Sequence, residues 1–185
     1  MGRPGKLGVR NGVKGNGQMS LNNFNADAKA KELAKQIRHI ASGSIDFMNP
    51  NDNYSKYIGK RADIDQNGFI DIVAHGSANS IVIGSSKVEL NHRNAAKLIK
   101  NKMGEQKITG IRLLSCNTGA QSNGFAQKLA DKLHVPVMAP TKYSFSYSNG
   151  KHFVAGSKDG GKTPDYSDMG EFKIFYPRRY KKWAI

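Results

Sequence analysis

Between Phe69 and Ala139 two kinds of apolar pattern alternate along the chain. Continuous short runs at Phe69–Ala74, at about 108–115 and at Val135–Ala139 read as buried strands, the last of them stopped by Pro140. Between them, apolar residues recur at helical spacing. One helix is predicted over 92–103, burying Ala95, Ala96, Leu98, Ile99 and Met103, with Asn91 as N-cap and Gly104 at its end. A second is predicted over roughly 122–133, burying Phe125, Ala126, Leu129, Ala130 and Leu133. Ser80–Gly84 and Lys87–Leu90 read as a short hairpin around Ser85-Ser86. Strand, helix, strand, helix, strand is the order of a parallel sheet with crossover helices.

The flanks differ. Ala26, Ala30, Leu33, Ala34, Ile37, Ile40 and Ala41 predict a helix that starts from an Asn25 cap and stops at Gly43. Residues 44–62 fit a short helix or a strand. After Lys142 the period drops to two in Tyr143-Ser-Phe145-Ser-Tyr147, and Asn149-Gly150 signals a type I′ turn back into His152–Ala155. A glycine-rich loop, 156–170, then leads to a strand over Phe172–Tyr176. The fold class expected is α/β: a three-layer, parallel-core sheet with flanking helices, extended at its edge by an antiparallel C-terminal β-hairpin or flap over 143–176. Residues 1–18, with six glycines and the cations Arg3, Lys6, Arg10 and Lys14, read as a flexible basic linker, and 19–185 as a single domain.

Composition adds charge. The 185 residues carry a net charge of +15, which predicts attraction to polyanions such as RNA, DNA, inositol phosphates or anionic lipid. One cysteine excludes an internal disulfide. No apolar run has the length of a membrane span, and the N-terminus lacks the apolar core of a signal peptide. With its linker-like start, the chain reads as a piece of something larger.

Two strand ends carry the candidate chemistry. Phe69–Ala74 runs into His75-Gly76, and the 108–115 strand runs into Cys116-Asn117-Thr118-Gly119. Ligands of open α/β sheets bind beyond the carboxyl ends of the strands, so adjacent strands here bring an imidazole and the one thiol to the same crevice. That pairing suits a cysteine nucleophile and its base. Backbone N–H groups and a nearby helix N-terminus are expected to lower the thiol pKa. The plain alternatives are a buried structural thiol and a histidine satisfied by the backbone. His39 is expected on the polar side of the first helix, His92 at a helix start, His134 at a helix end and His152 beside the hairpin; none of them ends a buried strand. Asp63-Ile-Asp65-Gln-Asn67-Gly68-Phe-Ile-Asp71 matches the start of a calcium loop, but Ala74 stands where the bidentate acid belongs, and a tight turn is the preferred reading. No metal is assigned. Arg178, Arg179, Lys181 and Lys182 interleave with Tyr180 and Trp183 as a phosphate clamp or as a solvated tail.

The His75-Gly76 and Ser115-Cys116 pairs resemble those of caspase-like (clan CD) cysteine peptidases. The likeness is to the self-processing cysteine peptidase domains of multifunctional RTX and clostridial glucosylating toxins. Phe69–Lys142, with Arg-Leu-Leu-Ser-Cys-Asn-Thr-Gly, Phe-Ala-Gln-Lys-Leu-Ala and Val-Pro-Val-Met-Ala-Pro-Thr, also looks like C-terminal domains of bacterial polymorphic toxins. The resemblance covers about half the chain. It implies a Cys116–His75 dyad, an oxyanion hole from the Gly76 and Cys116 N–H groups, and substrate contacts at Asn117, Thr118, Pro140 and Thr141. It further implies a protein substrate in the target-cell cytosol, secretion or delivery within a larger toxin, and a cognate immunity protein. Such domains require no cofactor but are activated by inositol hexakisphosphate at a basic site, for which Lys142, Lys151, Lys173, Arg178 and Arg179 are the cations available. No third catalytic residue is assigned. Two other readings stand beside it: a basic nuclease toxin using His75 as acid–base, and a non-enzymatic polyanion-binding module.

Overall fold

The computed structural model describes residues 19–20, 27–39, 44–64, 68–84 and 86–178. The 1–18 linker, the Asn25 cap, Gly43, Ser85, the middle of the calcium-like loop, Arg179 and the Tyr180–Trp183 tail lie outside the described residues. In chain order the elements are β1 (Met19–Ser20), α1 (Asp27–Ala34), β2 (Arg38–His39), β3 (Ser44–Asp46) and the short α2 (Asn53–Ile58). Next come β4 (Phe69–Val73), β5 (His75–Gly76), β6 (Ile81–Ile83), β7 (Val88–Leu90) and α3 (His92–Met103). The chain continues through β8 (Gly110–Leu114), α4 (Phe125–Leu133), β9 (Val137–Pro140), β10 (Tyr143–Ser146), β11 (His152–Ser157), β12 (Pro164–Met169) and β13 (Phe172–Phe175).

The central sheet has the order β13-β9-β8-β4-β3-β2. Its inner strands β9, β8, β4 and β3 are parallel, and β13 and β2 add antiparallel edges. The molecule is therefore mixed α/β with a mostly parallel sheet and flanking helices. A small sheet, β1-β7-β6-β5, and a three-stranded antiparallel sheet, β10-β11-β12, accompany it.

Alternation along the strands gives the central sheet two unlike faces. Ile45, Ile70, Ile72, Ile111 and Leu113 enter one hydrophobic core with Leu33 of α1, Leu98 and Ile99 of α3, and Phe125 and Leu129 of α4. Full burial of each such side chain contributes about 1.5–3 kcal/mol. The intervening residues Ser44, Asp46, Asp71 and Arg112 are also buried. Asp71 accepts from Arg61 Nε at 2.8 Å and from Arg112 Nε at 2.8 Å and Nη2 at 2.7 Å. Arg112 reaches on to Asp63 at 2.9 Å, and His152 Nε2 sits 2.7 Å from the same carboxylate. The second face is thus an ion-pair network, edged by a small apolar cluster of Met48, Ile58, Val73 and Leu114.

Four sequence expectations need correction. The first helix does not reach Gly43: α1 ends at Ala34, and Arg38–His39 forms an edge strand on β3. The Arg38 guanidinium finds Asp46 and Ser55 there, an ion pair and hydrogen bond that one more helical turn would not supply. His39 is consequently an exposed edge-strand residue rather than a helical one.

The 143–176 segment is not a single extension of the sheet edge, because only β13 joins the central sheet. Nor is 156–170 all loop. Positive φ at Gly160 and Gly161, with Asp159 accepting the Lys162 and Thr163 N–H groups, makes a tight turn that launches β12. The Asn149-Gly150 turn is not type I′, since positive φ occurs at Gly150 (91°) and not at Asn149. A Cβ on Gly150 would lie 2.5 Å from the Arg61 backbone nitrogen, so close packing against the 60–61 segment selects the glycine there.

Candidate functional site

Strands β4 and β8 are parallel neighbours, with Val73 opposite Leu114. Ala74 N–H still donates to Leu114 O at 3.4 Å, so the pairing persists one step past the end of β4. His75 and Cys116 follow at matching distances from the last paired residues, two positions beyond each. At His75 the chain leaves the central sheet and pairs with Val82 of β6 instead. That bend turns the imidazole outward, with its side chain 54 % exposed. Gly76 then passes directly over the 115–118 turn. A Cβ there would lie 2.2 Å from Ser115 Oγ and 2.9 Å from Thr118 Cγ2. Glycine is required by this crossing, which binds the His-Gly end to the Ser-Cys end.

The cysteine turn is itself tightly held. Asn117 adopts a left-handed backbone (φ 58°), a conformation asparagine tolerates better than most residues, and its N–H donates to Lys142 O at 2.8 Å. Thr118 Oγ1 donates to Ser115 O at 3.0 Å, and Gly119 N–H donates to Pro140 O at 2.9 Å. Ser144 N–H points at Cys116 Sγ from 3.4 Å, and the thiol lies 3.8 Å from Ser144 O. Burial pushes the thiol pKa up, only partly opposed by the Ser144 and Cys116 N–H groups. This reverses the expected lowering. The first N–H groups of α4 go to Ala78 O and Thr118 O rather than to the sulfur, and desolvation prevails.

The start of α2 reaches both halves of the site. Asp52 caps the helix, accepting from Tyr54 N–H at 2.8 Å through Oδ1, while its Oδ2 lies 2.9 Å from His75 Nε2. The histidine hydrogen bond is the main reason that the Asp52 carboxyl sits below the usual carboxylate range. Two residues on, Tyr54 Oη meets Ser144 Oγ at 2.6 Å, on the residue whose backbone grips the thiol. Burial raises the Tyr54 pKa, so the phenol stays protonated. The sequence assigns neither residue a role in the site; Tyr54 reads there only as a packing residue of a short helix or strand. The one available signal was an Asp-Asn-Tyr start to a possible short helix. No hydrogen bond joins His75 to Cys116 among the described residues; His75 is anchored by Asp52 and Cys116 by Ser144.

The expected substrate contacts fare unequally. Thr118 and Pro140 are buried, and Thr141 Oγ1 exchanges hydrogen bonds with the Glu171 backbone at 3.0 and 3.1 Å. Asn117 alone of the four is half-buried and without such a side-chain commitment among the described residues. Nor do the expected polyanion ligands share one place. Lys142 pairs with Asp168, the Lys173 ammonium lies over the Phe175 ring, Lys151 borders a cavity with Asp63 and His152, and Arg178 holds Asp131. Arg179 lies outside the described residues.

Asp71, the last oxygen donor of the calcium-like loop, is committed to Arg61 and Arg112. No group of three or more His, Cys, Asp and Glu side chains among the described residues is arranged to hold a metal ion. No helix among them is long and apolar enough to cross a membrane.

Comparison with known proteins yields one family. Neither the curated proteins nor the solved structures contain a match to the chain. A family model described as a domain of unknown function, DUF8616, matches residues 43–154, a span that includes β3 to β9, Asp52, His75 and Cys116. With more than half of its length matched, the chain belongs to the DUF8616 family.

Proposed function

We propose that this protein is a cysteine-dependent acyl-transfer enzyme of the peptidase type, or a related deamidase, with Cys116 as nucleophile and His75 as acid–base. The observation that carries the reading is the β4–β8 register together with the Gly76 crossing. Imidazole and thiol end adjacent parallel strands, where α/β sheets take their ligands. Asp52 adds support by fixing Nε2 of the imidazole, which leaves Nδ1 to exchange protons.

A part-buried thiol with a raised pKa needs its proton removed as substrate arrives. Cys116 Sγ attacks the carbonyl carbon, its proton passes to His75 Nδ1, and the Gly76 and Cys116 N–H groups receive the developing oxyanion. The imidazolium returns the proton to the leaving amine as the C–N bond breaks. Water, deprotonated by the same histidine, then cleaves the thioester. The likeness to toxin-borne peptidase domains makes a protein of a target cell the proposed substrate, and delivery within a larger toxin the proposed context.

Expression of wild type and Cys116→Ala in bacterial and eukaryotic cells, with proteomic detection of new protein termini or deamidated side chains, tests this. Toxicity and both kinds of product should disappear with the sulfur. Nucleic-acid cleavage or toxicity that survives Cys116→Ala would overturn the acyl-transfer reading in favour of a nuclease or binding module.

A further inference from the structure

Tyr54 is placed by both ends of its side chain. Its ring packs against the apolar cluster of Met48, Ile58, Val73 and Leu114. Val73 and Leu114 are the last paired residues of β4 and β8, each two positions before His75 and Cys116. Its hydroxyl lies 2.6 Å from Ser144 Oγ, so the side chain of a residue only 5 % exposed finds its partner in Tyr54. Ser144 belongs to β10, and the edge of β10 turned away from β11 runs along the cysteine turn. There Lys142 O accepts from Asn117 N–H at 2.8 Å, and two residues on Ser144 N–H points at Cys116 Sγ from 3.4 Å. α2 is itself held on both sides of Tyr54. Asp52 Oδ2 engages His75 Nε2, and Ser55 Oγ donates to Asp46 Oδ2 at 2.5 Å, next to β4.

From this chain of contacts we infer that Tyr54 is a positioning residue for the nucleophile, holding the β10 edge against the Cys116 sulfur through Ser144. The inference rests on the acyl-transfer reading for its catalytic meaning. No hydrogen bond joins His75 to Cys116 among the described residues, so their separation is set by what supports each of them. The start of α2 is common to both supports: Asp52 fixes the imidazole directly, and Tyr54 fixes the thiol through one intermediary. Tyr54 does not take the thiol's proton. Burial keeps the phenol protonated, and the nearness of Cys116 acts in the same direction. Without the phenol oxygen, Ser144 Oγ is left buried and unpaired, and β10 has to turn or shift to satisfy it. The Ser144 N–H then leaves the sulfur, and with it goes one of the two backbone donors that oppose desolvation of the thiolate.

The test reads the thiol first, without any substrate. Iodoacetamide labelling of the single cysteine is followed against pH in the full chain, together with the melting temperature and, separately, kcat and KM on an acyl substrate. Tyr54→Phe should raise the midpoint of the labelling profile by about 0.5 pH unit or more, because a donor to the thiolate is lost. Ser144→Ala should do the same from the other side of the contact, which guards against misfolding of the first variant. The double variant should shift no further than either single one, since all three lack the same hydrogen bond. In Tyr54→Phe kcat should fall by about tenfold or more while KM stays within about twofold, as misplacement of a reacting group requires. Tyr57→Phe removes a phenol oxygen from the same helix and should leave both midpoint and kcat as in wild type. Additive shifts in the double variant overturn the inference, as does an equal shift in Tyr57→Phe. So does a lowered melting temperature with midpoint and kcat unchanged, which is the mark of a purely structural hydroxyl. A coupled shift in a protein without acyl turnover supports the hold on the thiol and overturns the acyl-transfer reading instead.

Discussion

Asp52 Oδ2 lies 2.9 Å from His75 Nε2, across 23 residues of sequence, and the same carboxylate caps α2 through its other oxygen. The two roles separate chemically. Asparagine caps a helix about as well as aspartate, but it cannot stabilise an imidazolium. Asp52→Asn should therefore keep the cap and cost less than about 1 kcal/mol of stability, that of the partly exposed pair with His75, while lowering kcat/KM by about 10²–10⁴-fold. Asp52→Ala should lose the activity and also about 1 kcal/mol of stability with the cap. Thermal melts paired with turnover of an acyl substrate distinguish the two; unchanged turnover in Asp52→Asn would remove Asp52 from the mechanism.

Cys116 should behave as a protonated, shielded thiol in the resting protein. Burial raises its pKa, so the thiolate fraction at neutral pH lies below that of an open cysteine. Iodoacetamide should label it slowly at pH 6–7, about where free thiols are already partly reactive, and faster as pH climbs beyond the free-thiol range near 8.5. Mass spectrometry of the single cysteine provides the rate. Rapid labelling below neutrality would mean a preformed thiolate.

Gly76→Ala should damage both stability and activity. Its Cβ would fall 2.2 Å from Ser115 Oγ, against a turn that Thr118, Lys142 and Pro140 already hold in place. Overpacking of this kind costs about 1–3 kcal/mol, and relief requires the Ser115 and Thr118 side chains, which flank Cys116, to shift. Denaturant unfolding together with activity measures both effects.

Asp71→Asn should be among the most disruptive single-atom changes in the protein. It leaves the buried guanidinium of Arg61 and the nearly buried one of Arg112 facing an amide, and breaking such a pair costs about 3–5 kcal/mol. Asp168→Asn removes the exposed partner of Lys142 and should cost less than about 1 kcal/mol. Urea unfolding of the two variants side by side tests the contrast.

Stability should decline in acid, and the sign follows from which state holds its protons more weakly. Burial alone would raise Asp63 and Asp131, but Arg112 and His152 outweigh it at the first and Arg178 at the second, so both carboxyls are lowered on folding. Asp52 is lowered as well, chiefly by His75. The unfolded chain therefore binds protons first. The contribution of these three groups is complete above the free-aspartate value near 3.9 and disappears as pH falls through their lower folded values. Asp46 acts in the opposite sense, because burial raises it. Melting temperatures between about pH 6 and pH 2.5 should fall mainly below pH 4, less steeply in Arg178→Ala because Asp131 then contributes less.

The amino-acid sequence by itself determined the core and its strand ends. Phe69–Ala74 and Val135–Ala139 announce strands, and the apolar spacing over 92–103 and roughly 122–133 announces α3 and α4, because burial imposes its period directly on residue choice. His75 and Cys116 were legible for the same reason: each interrupts an apolar run where a sheet ends. The tertiary structure decided everything that depends on partners distant in the chain. Arg38 takes strand geometry for Asp46; Asp71 is held by arginines ten and 41 residues away; Asp52 and Tyr54 reach His75 and Ser144 from a helix too short to announce itself. Hydrophobic period is a local property that a linear chain records, whereas a hydrogen bond or ion pair is a property of two addresses. The sheet register and the packing of α2 against it bring those addresses together.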